Sequence, residues 1–144
     1  MAIYNKTLLI RGIVLRDRAS VVIIENYKVG LIKRIREGTV YFVFPGGGIE
    51  NGETPEDGAK REALEELGVE VKVNDCIAEV EFNGTQYFFL SEIIVGEFGT
   101  GQGEEYIDEK RDRGTYLPMW VDLDKLSSID VKPKEVALKV LSLF

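Results

Sequence analysis

The sequence predicts an α/β (α+β) domain in which a mixed β-sheet is covered by helices. Three observations carry this. Val/Ile/Leu-rich runs of strand length recur along the chain. Two amphipathic helix patterns, one central and one C-terminal, interrupt or follow them. Asn26/Tyr27, Pro45 with Gly46 to Gly48, and Asn83-Gly84 mark breaks between runs. Strands in antiparallel runs with helices set between them suit helices packed on a mixed sheet.

Taken in order, Thr7 to Leu15, Ser20 to Glu25 and Lys28 to Arg34 read as successive strands, separated at Asp17 to Ala19 and at Asn26/Tyr27. Thr39 to Phe44 is a fourth, and Pro45 followed by Gly46, Gly47 and Gly48 predicts a bend where a central strand stops. Thr54 suits an N-cap, Pro55 the first helical position, and Glu56 and Asp57 the positive end of the helix dipole. The helix is expected to run to about Leu67, with Gly68 as a left-handed cap. Val69 to Phe82 and Thr85 to Val95 flank Asn83-Gly84, a hairpin signal. A glycine-rich loop, Gly96 to Gly103, precedes a charged stretch and a strand over Tyr116 to Val121. Pro133 to Phe144 reads as an amphipathic helix.

The 144 residues, 44% hydrophobic and 30% charged, suit one domain spanning 1–144. No apolar run is long enough to span a membrane, and the start lacks a signal-peptide pattern, so a cytoplasmic location is expected. A single cysteine, Cys76, excludes an internal disulfide and a multi-thiolate zinc site. The absence of histidine excludes Ser/His/Asp and Cys/His catalysis and any imidazole-bound metal. Acid/base and metal chemistry therefore falls on carboxylates, Lys, Tyr or Arg. A net charge of −7 disfavours a nucleic-acid polymer as partner. The acid is concentrated: between Glu50 and Glu66 stand seven acids and two bases, a net of −5.

On the central helix Ala59, Ala63 and Leu67 recur every four residues as a packing stripe, while Glu62, Glu65 and Glu66 recur at i, i+3, i+4 on another face. Three close carboxylates repel one another unless a cation intervenes. Mg²⁺ favours hard oxygen ligands and retains waters that substrate phosphates can replace. Gly46 to Gly48 allow backbone to approach a phosphate or a metal closely.

Read from Gly47, the segment GGIENGETPEDGAKREALEELGV fills every fixed polar and glycine position of the Nudix box: Gly47, Glu53, Arg61, Glu62, Glu65, Glu66 and Gly68. The chain thus resembles the Nudix hydrolase family over this segment. The resemblance implies an α/β/α sandwich, a Mg²⁺ cofactor (Mn²⁺ as the alternative), and hydrolysis of a diphosphate linkage in a nucleoside diphosphate-X substrate by a MutT-like nucleotide pyrophosphohydrolase. It implies metal ligation by Glu62, Glu65, Glu66 and the carbonyl of Gly46, orientation of these acids by Arg61, and for Glu53 an accessory-ligand role or a partnership with Arg61. Gly47 and Gly48 would meet the substrate. The proton acceptor is expected either in a loop upstream of Trp120, where Glu104, Glu105 and Glu109 stand and Glu105 is favoured, or at Glu65 in a second role. Tyr87, some 18 residues past the box, resembles a substrate-binding mark of dinucleoside polyphosphate hydrolases. The expected partner is a small-molecule nucleotide, with no membrane, for a monomer or homodimer. A non-catalytic Nudix-like nucleotide-sensing module is the alternative, although such modules usually lose box glutamates. An isoprenoid diphosphate isomerase is disfavoured by the lack of histidine, and mRNA decapping by the acidic balance.

Overall fold

The computed structural model describes residues 3–4, 7–10, 13–101 and 114–144, the first fourteen as backbone only. Three short strands open the chain: β1 (Ile3–Tyr4), β2 (Thr7–Ile10) and β3 (Ile13–Arg16). They form an antiparallel meander in which Ile10 pairs with Ile13. The single strand expected over Thr7 to Leu15 is therefore two strands folded back on each other. Arg11 and Gly12, between the two strands, are the break in this otherwise apolar run.

The main sheet is built on β4 (Arg18–Glu25), β5 (Lys28–Arg36), β6 (Thr39–Val43), β7 (Gly46–Gly48), β8 (Val69–Glu81), β9 (Thr85–Gly96), β10 (Thr115–Asp122) and β11 (Val131–Lys132). It is mixed. β4 runs parallel to β9, Arg18 opposite Gln86 through Ile23 opposite Ser91, and β11 runs parallel to β6; the other pairings are antiparallel.

β4 pairs with β5 only at Ile24–Val29 and Glu25–Lys28, next to the turn that joins them. Beyond that point the two strands part. β5 continues with β6 on one edge and β10 on the other, whereas the start of β4 pairs with β7. This divergence opens the cleft described below. The turns at Asn26–Tyr27 and Asn83–Gly84 carry positive φ at both positions (51° and 65°, 53° and 115°), the backbone twist that tight hairpins require.

The helices α1 (Pro55–Leu67) and α2 (Lys134–Leu143) cover opposite faces. Ala59, Ala63 and Leu67 of α1 lie in one core with Ala19, Val21, Ile23, Ile49 and Phe89. Val136, Ala137 and Val140 of α2 lie in the other with Val22, Leu31, Phe44 and Phe88. Alternate residues of β4 feed both cores, which explains its unbroken apolar run. The expected α/β/α sandwich is observed. No helix among the described residues is long and apolar enough to cross a membrane.

α1 starts and stops as its sequence predicts. Thr54 Oγ1 accepts the Asp57 N–H at 3.1 Å. Gly68 takes a left-handed φ of 75° and returns its N–H to the Leu64 carbonyl. The start of the glycine-rich loop then closes over this end, Gly99 and Thr100 donating to the Leu67 carbonyl at 2.9 and 3.0 Å.

Gly46 to Gly48 depart from expectation: they form a strand on Arg18–Ser20, and none of the three has positive φ. Glycine is needed there for space. A Cβ on Gly46 would overlap the Ala19 carbonyl and Ser20. Gly46→Ala is expected to destabilise the protein by about 2 kcal/mol or more, since the opposing atoms include backbone that cannot rotate away. Thermal denaturation checks this, and an unchanged Tm would contradict it.

Candidate active site

α1 carries its carboxylates along the rim of the cleft, facing β7. Glu62 and Glu66, one helical turn apart, are 6% and 7% exposed. A Cβ on Gly47 would overlap the Glu62 carboxylate, so that acid lies directly on the bare glycine strand. Glu66 Oε2 accepts the Gly46 N–H at 3.2 Å. Acids this buried require compensation, because desolvating a lone carboxylate costs several kcal/mol.

Arg61 supplies much of it. Its Nε donates to Glu53 Oε2 at 2.7 Å and its Nη2 to Glu53 Oε1 at 3.1 Å, a bidentate pair. Nη1 reaches Glu62 at 2.9 Å and Glu65 at 3.2 Å. Nη2 also donates to the Gly48 carbonyl at 2.9 Å, tying helix to loop, and Glu50 completes the ring of acids at 3.6 Å. The Glu53 hydrogen bonds, opposed by partial burial and reinforced by Glu62, raise the Arg61 pKa above its ordinary value. Conversely, the Arg61 hydrogen bond, opposed by burial and aided by the Glu50 N–H, holds Glu53 below the usual carboxylate range. Of the two roles expected for Glu53, the geometry shows the partnership with Arg61.

The cleft encloses about 950 Å³. Glu62, Glu65 and Glu66 line it with Gly46, Gly47 and Gly48; Phe44, Phe88 and Tyr116 add aromatic surface, and Arg16, Arg18, Arg34 and Lys132 add positive charge. Among the described residues no three acids are grouped so as to hold a metal ion in this conformation. Arg61 draws Glu62 and Glu65 toward itself, whereas Glu66 turns to Gly46. The donor set nonetheless fits a hard divalent cation: two deeply buried carboxylates and the half-exposed Glu65, all oxygen donors, border an open cleft. Gly46, expected to offer its carbonyl, presents its N–H to Glu66.

One expected residue is not brought to this cleft. Tyr87 packs on the α1 side, its ring stacked with Phe89 at 6.3 Å, and burial raises its hydroxyl pKa. Its neighbours Gln86 and Phe88 are the ones that line the cleft, because adjacent strand residues face opposite sides. Trp120 lies against Phe98 at 4.4 Å on that same α1 side. Glu104, Glu105 and Glu109 fall outside the described residues. Sequence reasoning missed Arg16, Arg18, Arg34 and Lys132, and the only signal was charge interrupting apolar strands. Arg34 lies 3.6 Å over the Tyr116 ring.

A family model for the NUDIX domain matches residues 14–140. The chain belongs to the Nudix hydrolase family. Two curated Nudix relatives are similar over part of their length: the oxidized purine nucleoside triphosphate hydrolases of Mus musculus, 34% identical over 92 residues (62% of this chain, 54% of that protein), and of Danio rerio, 31% identical over 81 residues (56% and 49%). The chain thus spans about half the length of the curated relatives it matches. A MutT structure reported for Aliivibrio salmonicida and Vibrio cholerae superimposes with a TM-score of 0.67 at 19% identity, covering 90% of this chain and 98% of that one, a likeness of fold. The box read in the sequence is the loop and helix of a Nudix fold.

The Glu53–Arg61 pair makes a pH prediction. A depressed carboxylate pKa contributes stability fully present above the ordinary value of 4.5 and lost as pH falls through that value toward the folded-state one. Glu53→Gln is expected to lower stability most at neutral pH, with the gap to wild type closing in acid. Urea denaturation across pH checks this, and a gap that widened in acid would contradict it. Arg61→Ala should cost more than Glu53→Gln, because it leaves several acids facing one another. Equal losses would refute Arg61 as the hub.

Proposed function

We propose that this protein is a divalent-metal-dependent pyrophosphohydrolase cutting a diphosphate linkage in a nucleoside diphosphate-X substrate, a MutT-like activity with a purine nucleoside triphosphate as the favoured substrate. The observation that carries the reading is the pair of nearly buried glutamates, Glu62 and Glu66, set against a side-chain-free strand at the floor of a cleft wide enough for a nucleotide. The substrate class is supported by the relatives named above, both hydrolases of oxidized purine nucleoside triphosphates.

Glu62, Glu65 and Glu66 would hold Mg²⁺, with Mn²⁺ as a substitute. Bound there, the ion would supply the positive charge that lets an acidic cleft accept a polyanion, and would stabilise negative charge on the attacking and departing oxygens. This chain's own residues do the positioning. Arg61, locked by Glu53 and the Gly48 carbonyl, fixes the rotamers of Glu62 and Glu65. Gly47 and Gly48 let the Glu62 carboxylate and the Arg16 guanidinium close on the backbone from its two faces, where a phosphate could meet both charges. Water adds to one phosphorus as the P–O bond to the other phosphate breaks, and the water's proton passes to a carboxylate. Glu65, half exposed beside Arg61, is the described candidate for that proton, and Glu105 is retained from the sequence. The exposed Phe82 and the half-buried Tyr116 offer ring surface at the cleft on which a base can stack.

A panel of canonical and oxidised nucleoside triphosphates, ADP-ribose and dinucleoside polyphosphates, incubated with Mg²⁺ in ¹⁸O-labelled water and read by mass spectrometry, identifies both substrate and attacked phosphorus. Turnover of a triphosphate to monophosphate and pyrophosphate is expected; no turnover of any member would overturn the reading. Glu66→Gln should lower turnover by roughly 10²-fold or more, the scale of losing a central electrostatic group. A wild-type rate in that variant would remove Glu66 from the chemistry.

A further inference from the structure

The strand β7 has no side chains, and its two faces look onto opposite charges. A Cβ on Gly47 would run into the Glu62 carboxylate, whereas a Cβ on Gly48 would run into the Arg16 guanidinium. Neighbouring residues of a strand point to opposite faces, so only a peptide backbone separates the acidic side of the cleft from a basic one. Arg18 belongs to the basic side: it sits opposite Gly48 in one pairing and opposite Gln86 in the other.

The segment bearing these arginines is tied down on both sides. Arg16 N–H donates to the Asn83 carbonyl at 2.7 Å, and the Asp17 carbonyl accepts the Ile49 N–H at 3.0 Å. Asp17 Oδ1 accepts the Thr85 N–H at 2.9 Å. Residues 16–18 are thus fastened to the end of the glycine strand and to the β8–β9 turn, which holds Arg16 and Arg18 at the cleft.

Arg16 and Arg18 also differ from the other cations of the cleft. Arg61 is held by Glu50, Glu53, Glu62 and Glu65. Lys132 lies 4.9 Å over the Tyr41 ring, and Arg34 stacks on Tyr116. Glu50, Glu81 and Glu135 line the same cleft, yet none pairs with Arg16 or Arg18 among the described residues. Arg16 feels the charge of Glu53, but neither Arg16 nor Arg18 closes an ion pair with a carboxylate among the described residues. In a chain of net charge −7, two such neighbouring guanidiniums form a site for an external anion. Their forked donors match a phosphate.

We propose that Arg16 and Arg18 form a phosphate subsite that holds the outgoing phosphates of a nucleoside triphosphate while the bond being cut lies toward Glu62 and Glu66. This rests on the function proposed above and adds the leaving group: a free pyrophosphate end, with more negative charge than the sugar-capped phosphate released from a nucleoside diphosphate sugar.

The test has two arms. In the first, inorganic pyrophosphate is titrated into the full-length protein in metal-free buffer by isothermal calorimetry. Binding is expected in the wild type, weakened roughly tenfold or more in the Arg16→Gln/Arg18→Gln double variant, with Arg16→Lys, which keeps the charge but not the fork, falling between the two. In the second, kcat/KM is compared for a nucleoside triphosphate and a nucleoside diphosphate sugar. The preference for the triphosphate should fall by a similar factor in the double variant. Circular dichroism confirms folding, and the single variants serve if the double variant does not fold. Absence of pyrophosphate binding in the wild type, or equal affinity in the folded double variant, would overturn the proposal. Arginine-dependent pyrophosphate binding without turnover of any nucleotide would leave the subsite standing and remove the hydrolase reading instead.

Discussion

The guanidinium of Arg61 is the interaction on which the rest of this site depends. It gathers Glu50, Glu53, Glu62 and Glu65 and reaches the Gly48 carbonyl from one planar group. Without it, the first turns of α1 and the loop before them would set like charges against one another at the edge of a core. With it, Glu62 is buried against a partner, and helix and loop are tied together. An arginine suits this place better than a lysine, because five fixed donors meet several acceptors in one plane. The network also explains why the three box acids do not converge in this conformation: a fixed cation already draws two of them aside.

The fold places that unit where it is useful. β4 must serve both halves of the sheet, yet it pairs with β5 only next to their shared turn. The gap left as they part is floored by β7, and the lack of side chains there lets carboxylates approach from one side and Arg16 from the other. The cleft is therefore a product of sheet divergence, and its chemistry a product of what sits on each side of a glycine strand. The cores beneath α1 and α2 make both walls firm.

Much of this was legible in the sequence. The caps of α1, the i, i+3, i+4 acids and the Asn83-Gly84 turn all follow from local rules, and the structure shows each where its residues placed it. What the sequence did not show depends on partners distant along the chain. In Thr7 to Leu15 only the two-residue break Arg11-Gly12 marks the fold-back, and the apolar residues on either side read as one strand. Gly46 to Gly48 read as a bend because glycine has low strand propensity, but pairing with Arg18–Ser20 overrides that. Tyr87 was assigned to the site from its distance past the box, and strand alternation put Gln86 and Phe88 there instead. Arg16, Arg18 and Arg34 become cleft residues only once β4 and β5 diverge, which no local pattern encodes.

The central claim is that the acids of α1 are arranged to take a divalent ion beside the glycine strand. Its most direct measurement is a Mn²⁺ titration followed by NMR, reading paramagnetic broadening of backbone amides with and without a nucleotide present. The account predicts broadening centred on Gly46, Gly47, Glu62, Glu65 and Glu66, abolished when Glu62 and Glu66 are both changed to Gln. Broadening centred elsewhere, or none at these residues with nucleotide bound, would contradict it.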